Sequence, residues 1–184
     1  MNHRPLIFID LETTGASTRD SRVLEIGAIR VENLQVVDSY STLLRVPRPI
    51  PPFITNLTGI DDSMTKDAPS FADIADTLRD FMYGGIFVAH NVGFDYSFMQ
   101  LEYRSLGQKF SMDKLCTVRL SRAFYPEQRR HNLDTIISTH GFVVNSRHRA
   151  LDDAQVLVDF FNKIIANHDL QTFAKMDKLI RYAR

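Results

Sequence analysis

Two short apolar runs, Leu6–Ile9 and Ile86–Ala89, each lead directly into a group of acidic and polar residues. A fully apolar run of this length, bounded by turn residues such as Gly84 and Gly85, is typical of a strand that is buried on both faces of a sheet. Apolar residues at helical spacing follow the second run. Strands that alternate with helices predict an α/β fold, in which a mixed sheet is flanked by helices.

The first run ends in Asp10 and Glu12, two acidic residues separated by one position. Side chains two residues apart in a strand extend to the same face, so these carboxylates lie side by side. A hard divalent cation with oxygen ligands would offset their repulsion. The alternative is a strand end with two solvated carboxylates, or with carboxylates paired to arginine. The Thr13-Thr14-Gly15 segment that follows favours the cation, because glycine permits close backbone approach and the threonines add hydroxyl groups.

Asp95 follows the second apolar run at the start of a predicted helix. Phe94, Phe98 and Leu101 share one helical face, and Asn91 is predicted to cap the helix. Open α/β sheets bind their ligands at such strand-to-helix junctions. The alternative for Asp95 is a carboxylate that is favoured there by the helix dipole alone.

A third acidic group contains His148, Asp152 and Asp153 at the start of a long amphipathic stretch. Five helical positions correspond to about 140° of rotation, so His148 and Asp153 share a site only if the histidine lies in the preceding loop. The residues alone leave the choice between Asp152 and Asp153 open. A histidine in a loop is usually a surface residue. Beside a metal site it suits a general base, because imidazole titrates near neutral pH.

Taken in order, these motifs resemble the DnaQ-like DEDDh 3′–5′ exonucleases, a family that includes the proofreading epsilon subunit of bacterial DNA polymerase III. The family motifs are Asp-x-Glu, His-Asn-x-x-Phe-Asp and His-x-x-x-x-Asp, which residues 10–12, 90–95 and 148–153 match. Residues 56–60 match a family segment near the terminal nucleotides of the substrate. Residues 115–134 are similar to exonuclease domains found alone or joined to UvrC-like nucleases. The resemblance extends from about Leu6 to Ile165.

The resemblance implies a ribonuclease H-like fold with a mixed five-stranded sheet flanked by helices. It implies two divalent metal ions, Mg²⁺ or Mn²⁺, held by Asp10, Glu12, Asp95 and Asp153, with His148 as the general base. The implied reaction hydrolyses single-stranded or frayed DNA 3′ ends to nucleoside 5′-monophosphates, in repair or proofreading. The residues implied to contact the substrate are Leu11, Thr13, Thr14, Leu57, Thr58 and Phe94.

Charge and composition add to this interpretation. The chain has 22 basic and 22 acidic residues and no net charge, whereas proteins that grip long duplexes carry a basic excess. We therefore expect a short footprint on a single-stranded 3′ end. Arg147 and Arg149, which flank His148, are predicted to contact phosphate. The arginines between 119 and 130 are interpreted as a solvated helix face. The single cysteine, Cys116, excludes an internal disulfide and is predicted to be buried.

The remaining scaffold follows from the same patterns. Strands are predicted over residues 23–31, 36–46 and 112–116. Helices are predicted over residues 71–81, 93–106, 117–124, 132–140 and 150–167. Ser70 and Asp73 fit a capping box, and the prolines between positions 47 and 52 predict an extended loop.

We expect one exonuclease domain over residues 1–184, with a core at about 5–167 and a C-terminal helix at about 170–182. No apolar run approaches the ~20 residues that span a bilayer. A strand that begins at about Pro5 leaves no room for a signal peptide, so we expect a cytoplasmic protein. A polymerase or repair complex is the expected partner, and the oligomeric state stays open.

Two other functions remain open at this stage. The first is an RNA-trimming 3′–5′ exonuclease, because the same five residues serve RNA exonucleases of this superfamily. The second is a non-catalytic nucleic-acid binding module, which related domains become when they lose metal ligands. The complete motif set disfavours this second alternative.

Overall fold

The computed structural model describes residues 4–168 and 171–183, which form a five-stranded mixed sheet with helices on both faces. The strands are β1 (Leu6–Thr13), β2 (Val23–Glu32), β3 (Gln35–Leu43), β4 (Ile86–Ala89) and β5 (Lys114–Cys116). Their order across the sheet is β3-β2-β1-β4-β5. The first three strands pair antiparallel, and β1, β4 and β5 run parallel to one another. The predicted α/β class and the mixed five-stranded sheet are confirmed.

Helices cover both faces of this sheet. Within the described ranges they are α1 (Pro52–Thr58), α2 (Asp62–Thr65), α3 (Phe71–Met82), α4 (Gly93–Ser105), α5 (Thr117–Phe124), α6 (Leu133–His140), α7 (Ala150–Asn167) and α8 (Thr172–Asp177). Each of the five helices predicted between residues 71 and 167 corresponds to one of these. The capping box is also present, because the Ser70 hydroxyl accepts from the Asp73 backbone N–H while the Asp73 carboxylate accepts from Ser70.

The central strand β1 is buried on both faces, which explains its continuous apolar sequence. Ile7 and Ile9 pack with α3 and α4 in one core cluster. Phe8 packs with α5, α6 and α7 in a second cluster on the opposite face. Its ring meets that of Phe161 edge-on, with 5.4 Å between the centroids. The strand is therefore fixed between two layers of helices, and its carboxyl end is held rigidly.

Several details differ from the sequence prediction. The proline-rich loop ends in helix α1, since Pro52 occupies the first helical turn, where its fixed φ favours a helix. Asn91 was predicted to cap α4, but it has a left-handed φ of 59° and Val92 is the cap residue. The helix predicted at about 170–182 is the shorter α8, and Leu170 lies outside the described residues. Strand β3 ends at Leu43 rather than at residue 46.

Helix α7 begins directly against β2 at Gly27. A Cβ at this position would lie 2.2 Å from the backbone carbonyl carbon of Ala150, which is closer than real Cβ atoms approach backbone. Glycine is therefore required for this contact. Gly27 is also in register with Asp10 on β1. The contact thus brings the first turn of α7 close to the acidic end of β1.

Two further predictions concern the single cysteine and the absence of a membrane-spanning segment. Cys116 is buried and has no disulfide partner, as expected from its apolar neighbours. Across residues 4–168 and 171–183, no helix combines the length and the apolar character that crossing a bilayer requires.

Candidate active site

The carboxyl end of β1 presents Asp10 and Glu12 on the same face of the strand. Pairing between β1 and β4 ends at Phe8 and Val88, so both acidic residues lie beyond the last paired position. Asp10 is partly buried, and Glu12 is buried. Beyond this position the two strands are no longer paired, and they leave an opening at the carboxyl end of β1. The two carboxylates extend into this opening.

Asp95 reaches this opening from the first turn of α4. The chain turns sharply after β4 at Asn91, which has a left-handed backbone conformation. Asparagine tolerates this conformation better than most residues do. The turn directs the start of α4 toward β1, where the backbone N–H of Leu11 donates to the Asp95 carboxylate. The Asp95 side chain is almost completely buried.

His148 and Asp153 enter from the opposite side. His148 lies in the loop before α7 with a left-handed φ of 60°, and Asp153 lies in the first turn of the helix. The observed arrangement is the one that their spacing required. One donor atom from each of Glu12, His148 and Asp153 lies within 4.8 Å of the other two. Asp152, the alternative acidic residue, is not part of this group of donors.

The four carboxylates perturb one another strongly. Burial raises the pKa of Asp10 well above its usual range, and the nearby Asp95, Asp153 and Glu12 carboxylates raise it further. Burial, followed by the charge of Asp153, raises the pKa of Glu12 to about 7. Burial raises the pKa of Asp95 to about 8. Without a cation the group therefore holds protons at neutral pH, and cation binding would displace them.

The two oxygens of Asp153 have different surroundings. Oδ2 accepts hydrogen bonds from the Arg147 guanidinium and, at 3.3 Å, from the backbone N–H of His148. Oδ1 is buried and has no hydrogen-bond partner among the residues described. An unpartnered buried acceptor costs roughly 1–3 kcal/mol, and more when it is charged. A divalent cation with oxygen ligands would satisfy this atom, so the donor set fits such an ion.

Arg147 connects this site to α6. Besides its bond to Asp153, it donates from Nε and Nη2 to Oδ1 of Asp134, at 3.0 and 2.8 Å. Asp134 is exposed. Arg147 was predicted, with Arg149, to contact phosphate, but its guanidinium is paired with these two carboxylates. The sequence gave no sign of this bridge, because Asp134 and Asp153 lie on separate helices.

Sequence reasoning missed Glu25, which fixes the loop before α7. Its buried carboxylate accepts from Nη2 of Arg149 at 2.7 Å and from the backbone N–H of Ala150 at 3.0 Å. Arg149, predicted to contact phosphate, is thus already paired with a carboxylate. The available signal was an acidic residue within the apolar first part of β2. Its position opposite Glu12 follows only from the pairing of β1 with β2.

The segment after Glu12 forms a closed turn. The Thr13 hydroxyl donates to the carbonyl oxygen of Gly15 at 2.9 Å. The Thr14 hydroxyl accepts from the backbone N–H of Arg22 at 2.9 Å. Leu11 and Thr13 are buried, and Thr14 is partly buried. The backbone of this segment is therefore held firmly beside the carboxylates.

Leu57 and Thr58, predicted to contact the substrate, differ in exposure. Leu57 is 51% exposed, whereas Thr58 is buried. The Thr58 hydroxyl donates to the Ile54 carbonyl at 3.0 Å and accepts from the Ile60 N–H at 3.1 Å. Its side chain stabilises the end of α1, from which Leu57 projects.

The residues around Asp95 support the loop after β4. The Nδ1 atom of His90 lies 2.9 Å from the Thr117 hydroxyl. Burial lowers the pKa of His90 to about 4, so its ring is neutral at physiological pH. These contacts give His90 a structural part in the loop after β4. Phe94 is partly buried, and its ring centroid lies 5.0 Å from that of Phe98.

A profile of the exonuclease family, RNase_T, matches residues 7–161. The DNA polymerase III epsilon subunit of Treponema pallidum is 34% identical over 173 residues, which cover 92% of this chain and 80% of that protein. The chain therefore belongs to the exonuclease family. Its motifs match those of the DnaQ-like DEDDh group of 3′–5′ exonucleases, whose members use divalent metal ions.

Other relatives are much longer proteins. A PolC-type DNA polymerase III of Caldanaerobacter subterraneus is 36% identical over 159 residues, which cover 86% of this chain and 11% of that protein. The 3′–5′ exonuclease DinG of Staphylococcus aureus is 33% identical over 147 residues, which cover 79% of this chain and 16% of that protein. The chain thus corresponds to a small part of these relatives.

Solved structures agree with this assignment. Exonuclease X in complex with 5′-overhanging duplex DNA is 26% identical and aligns with a TM-score of 0.68, covering 93% of this chain and 98% of that one. The nuclease domain of 3′hExo, a DEDDh member bound to rAMP, has a TM-score of 0.78 at 17% identity, covering 90% and 93%. The predicted ribonuclease H-like exonuclease fold is confirmed.

Proposed function

We propose that this protein hydrolyses single-stranded or frayed DNA from the 3′ end, releasing nucleoside 5′-monophosphates in DNA repair or proofreading. The observation that carries the proposal is the convergence of four carboxylates and a histidine at the carboxyl end of β1. The unpartnered Asp153 oxygen adds to it, because this atom needs a positive ligand. Residues 1–184 would act as one exonuclease domain.

Asp10, Glu12, Asp95 and Asp153 would hold two divalent metal ions, Mg²⁺ or Mn²⁺. When bound, such ions supply an activated water and neutralise the charge that develops on the leaving 3′ oxygen. Arg147 holds one oxygen of Asp153 and leaves the other available as a ligand. The Leu11 N–H orients the carboxylate of Asp95.

His148 would act as the general base. Its ring nitrogen lies among the donor atoms of Glu12 and Asp153, and it would take the proton of the attacking water. The water oxygen then forms a bond to phosphorus, while the bond from phosphorus to the 3′ oxygen of the preceding nucleotide breaks. The loop that carries His148 is fixed at Glu25, so the ring needs little reorganisation.

The backbone from Leu11 to Thr14 would hold the terminal sugar, because it is rigid and adjoins the carboxylates. The exposed side chain of Leu57 and the ring of Phe94 would contact the terminal bases. Arg149 would meet phosphate only through donors that Glu25 does not occupy, and the buried Thr58 would support Leu57.

DNA is favoured over RNA because the relatives of similar sequence include a DNA polymerase III epsilon subunit and DinG. Exonuclease X, in complex with DNA, supports the same choice. An RNA-trimming exonuclease is the second candidate, since a fold neighbour of lower identity recognises the 3′ end of a histone mRNA stem-loop. A binding module is disfavoured, because Glu12, His148 and Asp153 bring donor atoms within 4.8 Å of one another. Asp10 lies near enough to Asp95 for that carboxylate to raise its pKa.

The epsilon relative also suggests a partner. We propose a polymerase or a repair complex, and we propose a cytoplasmic location with no membrane association. The partner is suggested by the epsilon relative. The location is the one that we expected from the sequence.

The test is incubation of the purified protein with a 3′-protruding DNA strand labelled at its 5′ end, in Mg²⁺, in Mn²⁺ and in chelator, beside a matched RNA. We expect a metal-dependent ladder that shortens from the 3′ end, with DNA cleaved faster. Faster cleavage of RNA would favour the second candidate. Folded protein that cleaves neither strand in either metal would contradict the nuclease proposal and favour a binding module.

A further inference from the structure

A cleft of about 510 Å³ lies beside the candidate active site, between the segment of residues 14–22 and the proline-rich segment of residues 46–51. Thr14, which is two residues after Glu12, is one of the residues that line it. The Thr14 backbone N–H donates to the Arg22 carbonyl, and the Thr14 hydroxyl accepts from the Arg22 N–H, both at 2.9 Å. The cleft is therefore joined by a closed turn to the segment that is proposed to hold the terminal sugar.

The cleft is basic although the whole chain is neutral. Arg19, Arg22 and Arg48 line it together with a single acidic residue, Asp20. Arg19 and Arg48 are exposed, and no salt bridge joins either of them to another described residue. Arginine side chains left without carboxylate partners beside a nuclease site match the charge of a phosphodiester backbone.

One wall of the cleft is rigid. Pro47, Pro49 and Pro51 line it, and each fixes its own backbone φ. Ile50 is anchored between them, because its N–H donates to the Asp62 carboxylate at 3.0 Å and its side chain packs in a small core cluster with Leu24. Binding along this wall would cost little ordering entropy.

An exposed aromatic ring follows this wall in the chain. Phe53 is two residues beyond Pro51 and is 64% exposed, one helical turn before Leu57 on α1. Exposed aromatic rings next to basic grooves are the usual elements of single-strand binding, because each base can stack on a ring while arginines meet the phosphates.

We infer that this cleft binds the phosphodiester backbone of the substrate strand, on the 5′ side of the nucleotides that are being removed. The inference rests on the proposed function, which it deepens by giving the uncleaved part of the strand a path. The active site then determines the chemistry, while Arg19 and Arg48 determine how strongly longer strands are preferred over short ones.

The test compares the double variant Arg19→Glu/Arg48→Glu with wild type on a dinucleotide and on a strand of about 15 nucleotides. Neither arginine belongs to the proposed catalytic or terminal-nucleotide site, so cleavage of the dinucleotide should be unchanged. For the longer strand we expect KM to rise roughly tenfold. The dependence of log(kcat/KM) on log salt concentration should become shallower by about 1.4, or 0.7 for each lost phosphate contact.

A matched control is Arg129→Glu/Arg130→Glu, which makes the same change of charge at exposed positions outside the cleft. This control should behave as wild type on both substrates. Circular dichroism melting verifies that each variant is folded. An unchanged KM for the longer strand, or an equal loss on the dinucleotide, would overturn the inference.

Direct binding separates failure of this inference from failure of the proposed function. Fluorescence anisotropy with a labelled strand in chelator measures binding without hydrolysis. If wild type binds the strand but cleaves nothing, the proposed function fails while the cleft is still tested. Weaker binding by Arg19→Glu/Arg48→Glu than by the control supports the cleft, and equal binding by the two variants refutes it.

Discussion

Replacing Asp95 with asparagine is expected to stabilise the metal-free protein, and increasingly so as the pH rises. Burial raises the pKa of this carboxyl from 3.8 to about 8, so the folded protein keeps a proton that the unfolded chain loses above about pH 4. The stability that the group contributes is complete below about pH 4 and is lost as the pH rises toward 8. Asparagine does not titrate, and its oxygen can still accept the Leu11 N–H.

The expected magnitude follows from the size of this shift. Each pH unit between the unfolded and folded pKa values lowers the free energy of unfolding by about 1.4 kcal/mol. From about pH 5 to about pH 8 the wild type therefore loses roughly 3–4 kcal/mol through this one group, and the variant does not. The difference in unfolding free energy between variant and wild type should grow by about that amount.

The assay is urea denaturation in chelator at these two pH values, with unfolding monitored by circular dichroism. The control is Asp152→Asn, which makes the same substitution one residue before Asp153 and outside the group of donor atoms. A difference between Asp95→Asn and wild type that stays constant from pH 5 to pH 8 would refute the reasoning, because Asp95 would then not be a protonated, buried carboxyl.

Three further predictions concern hydrolysis and metal binding. Asp10→Ala should nearly abolish cleavage while metal-free stability is kept or increased, since a repelling carboxyl is removed; near-full activity in folded variant would contradict its assignment. His148→Ala should lower kcat by about 10²–10⁴, and retention of the wild-type rate would point to another base. Gly27→Ala should displace the start of α7 from β2 and lower both Tm and Mg²⁺ affinity in calorimetry, whereas unchanged affinity would show that this close contact does not position Asp153.

The elements that the sequence predicted best are those with a strong local signal. Leu6–Ile9 is apolar on both faces because two helical layers cover it, and that burial is visible as an uninterrupted apolar run. The spacing of His148 and Asp153 was sufficient to place one in a loop and the other in a helix. The choice of Asp153 over Asp152 came from the resemblance to a family, and the arrangement of donor atoms agrees with it.

The features that were missed depend on contacts between distant segments. Glu25 lies 125 positions before Ala150, and its carboxylate accepts a hydrogen bond from the backbone N–H of that residue. No local sequence pattern predicts a bond between segments so far apart. Gly27 is required by a helix that begins at Ala150, so its importance emerges only when that helix is packed on the sheet. Helix α1 was missed because a proline at the first turn of a helix resembles, in sequence, one more proline of a loop.

If these carboxylates support removal of nucleotides from a 3′ end, the fate of the terminal nucleotide shows it most directly. A single-stranded DNA labelled in its 3′-terminal nucleotide is incubated with Mg²⁺ and either wild type or Glu12→Ala. We expect wild type to release the label at once as a nucleoside 5′-monophosphate, identified by mass spectrometry, and folded Glu12→Ala to leave it in the strand. Release of the label in longer fragments, or equal release by the variant, would show that these carboxylates do not support 3′–5′ hydrolysis.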